Sequence, residues 1–150
     1  ILFLYLGCAL GDFLSGGISQ YLQSRKKVTF IFLISIAILT TAYLMAVGAS
    51  LTYFYTLCLL LGFASGYWAI FVTMASEQFG TNIRATVTTT APNFVRGALV
   101  PMNFAFVAAR DQWGLLVAAG IIGAASITVA LLALSRLEET FGKDLNYCEE

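Results

Sequence analysis

Asp12 and Arg96 are ionisable residues set deep inside long apolar runs, Asp12 in the first run and Arg96 in the fourth. Each lies about ten residues, or about 15 Å of helix, from the end of its run. A charge at that depth in a hydrocarbon layer is expensive unless it is paired or faces a wet cavity. Asp12 is a candidate proton carrier, because its surroundings decide whether the charged or the neutral carboxyl is favoured. Arg96 is suited to hold an anionic solute or to act as counter-charge to Asp12. A static Asp12–Arg96 ion pair, or capping within a helix bundle, is the plain alternative. Asn93 and Asn103 extend the pattern: Asn93 to Arg96 is an offset of three and Arg96 to Asn103 one of seven. Such offsets keep side chains near one helical face. The stripe carries donors for carboxylate or hydroxyl oxygens, although hydrogen bonding between helices uses the same residue types. Thr88, Thr89 and Thr90 lie beside it, and Tyr67, Trp68 and Thr73 add aromatic and polar groups to the third run.

Other chemistries lack their residues. The 150-residue chain contains no histidine, so neither a histidine-based dyad nor a histidine-ligated metal is expected. Cys8, Cys58 and Cys148 are too dispersed for a metal or disulfide signature. No convincing pair of nucleophile and base is present, and neither enzymatic activity nor a cofactor is expected. Eight basic and eight acidic residues give zero net charge. Without a concentrated basic face, no nucleic-acid partner is expected.

The elements that must position Asp12 and Arg96 are membrane spans. The chain is 59% hydrophobic and 11% charged, with a mean hydropathy of +0.85, where soluble domains carry about 25% charged residues. Five apolar runs cover approximately 1–22, 28–48, 51–74, 86–108 and 113–135, followed by a polar tail at 136–150. Each approaches the roughly 20 residues that span a bilayer as helix. The runs lack the alternation of a membrane strand. The expected fold is therefore an all-α polytopic bundle whose first partner is the lipid bilayer. Arg25, Lys26, Lys27, Arg84, Arg136 and Lys143 fall on one side of it, and Arg110 on the other. By the positive-inside rule, the tail is cytoplasmic. Trp113 is placed at the outer interface, and Tyr147 in the tail suggests no special role. The chain begins within an apolar run and has no basic leader region, so it reads as part of a longer polypeptide.

Small residues and prolines suggest how the spans meet. Gly7 and Gly11 are spaced by four, as are Gly62 and Gly66, and Gly120, Gly123 and Ala124 cluster in the fifth span. Such patches let helix backbones approach closely, and a gating hinge is the alternative use. Pro92 and Pro101 predict a kinked or interrupted fourth span. In the polar breaks, Arg25, Lys26, Glu77 and Arg84 are candidates for a cytoplasmic gate built from exchangeable ion pairs. Charge asymmetry alone would also account for the basic ones.

Three segments carry a resemblance. Residues 77–86, EQFGTNIRAT, resemble the segment E-x-[FY]-P-T-x-x-R-[AG]-x of the major facilitator superfamily, found between its tenth and eleventh helices. Residues 17–27, GISQYLQSRKK, resemble its loop pattern G-x-L-x-D-R-x-G-R-[RK] at Gly17, Arg25 and Lys26. Tyr21, Leu22 and Ser24 replace the pattern's Asp, Arg and Gly, which removes the acid of its charge-relay gate. Residues 137–145, LEETFGKDL, resemble the closing segment E-T-[KF]-G-K-x-L of the sugar and metabolite branch, matching at Glu139, Thr140, Gly142, Lys143 and Leu145.

The resemblance implies a carrier of twelve helices with alternating access, in which this chain supplies helices eight to twelve and an N-terminal half is the partner. It implies that spans one, three and four flank a central cavity. The function expected is transport of a small polar metabolite, an organic anion or a sugar-like solute, either proton-coupled or facilitative. Asp12, Asn93, Arg96, Asn103 and Trp68 are the candidates for solute binding or coupling. The expected location is a bacterial inner membrane or a plasma membrane. A non-transporting membrane interaction or assembly module is the competing class.

Overall fold

A computed structural model describes the chain except for Val47, Tyr147, Glu149 and Glu150. The expectation for Tyr147 therefore lies outside the described residues. Six helices follow in order: α1 (Leu2–Leu22), α2 (Arg25–Met45), α3 (Leu51–Ser65), α4 (Trp68–Glu77), α5 (Thr81–Trp113) and α6 (Leu115–Arg136). There is no strand among the described residues. The α1 and α2 helices, the α3–α4 stretch and α6 are each long and apolar enough to cross a membrane.

Several boundaries differ from the sequence expectation, and α2 already begins at Arg25. The third span is two helices, broken at Gly66 and Tyr67. The fourth span, where Pro92 and Pro101 predicted a kink or an interruption, is not interrupted and forms the single 33-residue α5. At about 1.5 Å per residue this helix is roughly 50 Å long. Its start absorbs residues 81–85, and its end absorbs Arg110, Asp111 and Gln112. The turn into α6 is Gly114 alone, whose φ of 83° favours a residue without a Cβ. Its threonines, asparagines and charged residues keep α5 short of the apolar character of the other long stretches.

The closest packing is between α1 and α3. Gly7, Gly11, Ser15 and Ser19 form the buried stripe of α1. A Cβ on Gly66 would stand 2.5 Å from the Asp12 backbone nitrogen and 2.6 Å from the Cys8 carbonyl oxygen. One on Gly7 would stand 2.7 Å from the Phe63 nitrogen. The two backbones are therefore in contact, as the spacing of small residues by four allows.

The α2 helix joins this pair to the rest, touching α1, α3, α4 and α6. Val28, Phe32 and Ile70 form one buried cluster, and Leu33, Met74 and Leu134 form a second. Tyr67, at the break between α3 and α4, packs against both. The α5 helix rests on α4 and α6 and buries only Ala109. Most of its surface, including Asn93, Arg96 and Asn103, is exposed within this chain.

Candidate functional site

The first candidate site is the break in the third span. Gly66 is pressed against α1 and leaves the helix at ψ 58°, and α4 begins two residues later without a side-chain cap of its own. The first amides of a helix have no intrahelical acceptor and carry its partial positive charge. The Asp12 carboxylate supplies an acceptor from the neighbouring helix: the Ala69 N–H donates to its Oδ1 at 3.2 Å. Asp12 thus caps α4 from α1, and the glycine contact that brings the backbones together also sets its reach.

Arg96 comes to the adjacent residue. Its guanidinium carbon lies 5.8 Å from the centroid of the Trp68 ring, within cation–π range. One guanidinium nitrogen donates to Asn93 Oδ1 at 3.3 Å. Asp12 and Arg96 therefore meet the same two-residue segment, Trp68 and Ala69, but do not pair. The described residues contain two ion pairs, Arg25–Glu77 and Arg110–Asp111. A static Asp12–Arg96 bridge is thereby replaced by two different anchors, an amide for the acid and an indole face for the base.

Asn93 also differs from an interhelical donor. Its amide nitrogen donates within α5 to the Thr89 carbonyl at 3.0 Å. Among the described residues, no side-chain hydrogen bond engages Asn103, which is exposed. Thr90, Asn93, Phe94, Gly97 and Ala98 line a shallow depression of about 500 Å³ on the uncovered face of α5. Behind Trp68, an apolar cavity of about 360 Å³ is lined by residues of α2, α4 and α6 and is bordered by Val95, the neighbour of Arg96.

The second candidate site is a polar knot where α1 and α4 end and α2 and α5 begin. Arg25 reaches Glu77 at 3.3 Å and the Ser19 hydroxyl at 2.8 Å, and its guanidinium lies 5.1 Å from the Phe141 ring centroid. The other Glu77 oxygen accepts the buried Thr140 hydroxyl at 2.6 Å. Glu77 is therefore bound to Arg25 and the tail, rather than bracketing its loop with Arg84. Arg84 instead donates to carbonyl oxygens of Ser76, Phe79 and Leu145, at 3.2, 3.0 and 2.7 Å. The ammonium of Lys26 donates to the Ser135 and Leu137 carbonyls at the end of α6.

Glu139, which the sequence marks only through the resemblance of residues 137–145, is a central acceptor of the knot. The first turn of α2 is Arg25-Lys26-Lys27, basic where a helix favours acids. Glu139 supplies the missing negative charge from the tail, accepting the Arg25 amide at 2.8 Å and the Lys26 amide at 3.4 Å. It also accepts the Ser24 hydroxyl and the amides of Thr140 and Phe141. Partial burial pulls its carboxyl upward, but the Ser24 hydroxyl and the amides outweigh that and hold it below the usual range. The contact joins residues more than 110 positions apart, so no local pattern announces it.

Among the described residues, no group of histidine, cysteine, aspartate or glutamate is arranged to hold a metal ion. Compared with family models, curated proteins and solved structures, the chain matches none. The geometry defines an all-helical chain with several membrane-length apolar helices, a capped helix break in the middle and a polar knot at one end.

Proposed function

We propose that the chain forms the C-terminal part of a secondary carrier of the major facilitator type, moving a small organic anion or sugar-like solute by alternating access. The observation that carries this reading is Arg96. It stands midway along α5, exposed, with no carboxylate partner among the described residues, held by an indole face and an asparagine. An arginine within a membrane span marks a wet pathway or a partner group that removes its cost. An anionic solute reaching the uncovered face of α5 supplies such a group and can displace the guanidinium from Trp68. Trp68 opens α4 at an interrupted span, and carriers favour such interruptions for their binding sites.

In this reading, the seven preceding helices, six of the N-terminal half and the first of this half, cover the exposed face of α5. The polar knot lies on the cytoplasmic side, where Arg25–Glu77, Lys26 and Arg84 hold the ends of four helices and the tail together. Their release opens that side. The resemblance of residues 77–86 and 137–145 to the superfamily's segments supports the assignment, since both segments meet in the knot. Asp12 is the candidate for proton coupling, with its hold on α4 as the element that protonation would loosen.

The test uses the full-length polypeptide containing this chain, reconstituted in proteoliposomes. Organic acids, sugars and cations are added while solute uptake and internal pH are followed. Uptake of an organic acid that Arg96→Gln reduces at least tenfold supports the proposal. Absence of flux across the panel, together with cysteines at positions 93, 96 and 103 whose labelling ignores every solute, overturns it in favour of a non-transporting module.

A further inference from the structure

A third feature lies outside both candidate sites. An apolar groove of about 470 Å³ runs between α2 and α6, open along its side. Phe30, Ile31 and Leu131 form its walls, and Lys26 and Lys27 stand at one end. Lys26 and Phe30 are four residues apart on α2, as are Lys27 and Ile31, so each lysine shares a helical face with an apolar side chain of the groove. Phe30 and Ile31 are about half exposed.

The charges at this end are unbalanced. Lys27 is exposed, and among the described residues its ammonium has neither an ion pair nor a hydrogen bond. Lys26 bonds to carbonyl oxygens, which leaves its charge without a counter-ion. Arg136, next to Ser135 at the end of α6, is exposed and unpaired among the described residues. The acid facing them, Glu139, is committed to the Ser24 hydroxyl and the amides at the start of α2. Those amides are therefore not the recognition element; the ammonium groups are.

We propose that this groove binds one anionic phospholipid, with an acyl chain between α2 and α6 and the phosphate against Lys27 and Lys26. Two features select this ligand over a free anion or an apolar solute. The cations sit one helical turn from the apolar walls, matching the distance from a lipid phosphate to the start of its chain. The groove also opens sideways, the direction from which a membrane lipid arrives. Basic pockets between spans recognise lipid headgroups by the same balance of charge and apolar contact. The inference rests on the reading of the chain as a membrane protein and is independent of transport.

The experiment is native mass spectrometry of the detergent-solubilised full-length protein, titrated with dioleoyl phosphatidylglycerol or dioleoyl phosphatidylcholine. The expected result is a preference for the anionic lipid on the order of tenfold, from two ammonium contacts. Lys27→Gln should lower that preference severalfold. Leu131→Trp, which fills the groove without changing charge, should lower phosphatidylglycerol binding to a similar degree. Circular dichroism of both variants checks that the helices persist. A preference that survives Leu131→Trp reduces the effect to general attraction by a basic surface and overturns the site. Competition by glycerol phosphate, which has the headgroup charge and no chains, equally overturns it. Recovery of the protein from the soluble fraction without detergent would instead sink the membrane reading beneath it.

Discussion

Asp12 and Ala69 join α1 to α4 just beyond the backbone contact between α1 and α3: the carboxylate of one accepts the amide of the other at 3.2 Å. The bond ties the start of α4 to the middle of α1. It makes Asp12 a structural anchor as well as a candidate proton carrier. Substitution separates these roles, because an asparagine oxygen still accepts the Ala69 amide but does not titrate.

Asp12→Ala is expected to destabilise the solubilised protein by roughly 1–2 kcal/mol, the usual worth of a helix cap, and Asp12→Asn by less. Thermal unfolding of both variants checks this. If Asp12 couples solute to protons, Asn abolishes proton entry while leaving the melting temperature near that of the parent. Equal loss of stability in the two variants would show that the charge itself is the anchor.

The glycine seam gives a steric prediction. A Cβ on Gly62 would stand 2.8 Å from the Leu4 carbonyl carbon, whereas one on Gly17 would meet nothing within 4 Å. Gly62→Ala should therefore force α3 away from α1 and cost on the order of 1–3 kcal/mol, as overpacking does. Gly17→Ala should be neutral or slightly stabilising through helix propensity. A melting comparison showing equal effects would argue against direct backbone contact.

Breaking the knot should free the tail. Glu77→Gln removes the charge that Arg25 pairs with while keeping an acceptor for Thr140, so a loss of about 1–3 kcal/mol is expected for this largely buried pair. Limited trypsin digestion reads the result at Lys143, which should be cut several times faster in the variant. Unchanged cleavage would mean that Glu139 and Arg84 hold the tail without help from Glu77.

Acid should loosen the tail through Glu139. Its folded carboxyl is held below the ordinary value of 4.5, so the unfolded or released form binds a proton first as pH falls. The stabilisation is fully present above pH 4.5 and is lost as pH drops from there through the lowered native value. A nitroxide at Asp144→Cys should report steady mobility from pH 8 to 5 and increasing mobility in stronger acid. Glu139→Gln should flatten that profile; an identical acid transition in the variant would place the titrating group elsewhere.

Much of the helical layout could be read from composition, because long apolar runs and four-residue glycine spacing are local signals. The interruption in the third span could not. Gly66-Tyr67 contains no proline; the break coincides with the close approach of α1 to Gly66 and with an acceptor for Ala69 that lies 57 residues away. Pro92 and Pro101 are local signals for a kink or a break, and α5 continues through both without a break. Similar depth in the sequence makes an Asp12–Arg96 pair one expectation. It held no information on which neighbour each side chain meets, and α4 offers both an amide and an indole. The knot was half legible: Arg25 and Glu77 stand out as charges at span ends, but Glu139 becomes meaningful only when the tail folds back on α2.

The cap on α4 has a consequence for the order in which the protein is made. Ala69 leaves the ribosome after Asp12, so its acceptor is already part of the growing chain when the broken helix needs it. Reversing that order by circular permutation, with new ends between α2 and α3, would leave the amide waiting for a partner not yet synthesised. For this cap the linear order of the helices serves as a schedule in which the acceptor precedes the donor.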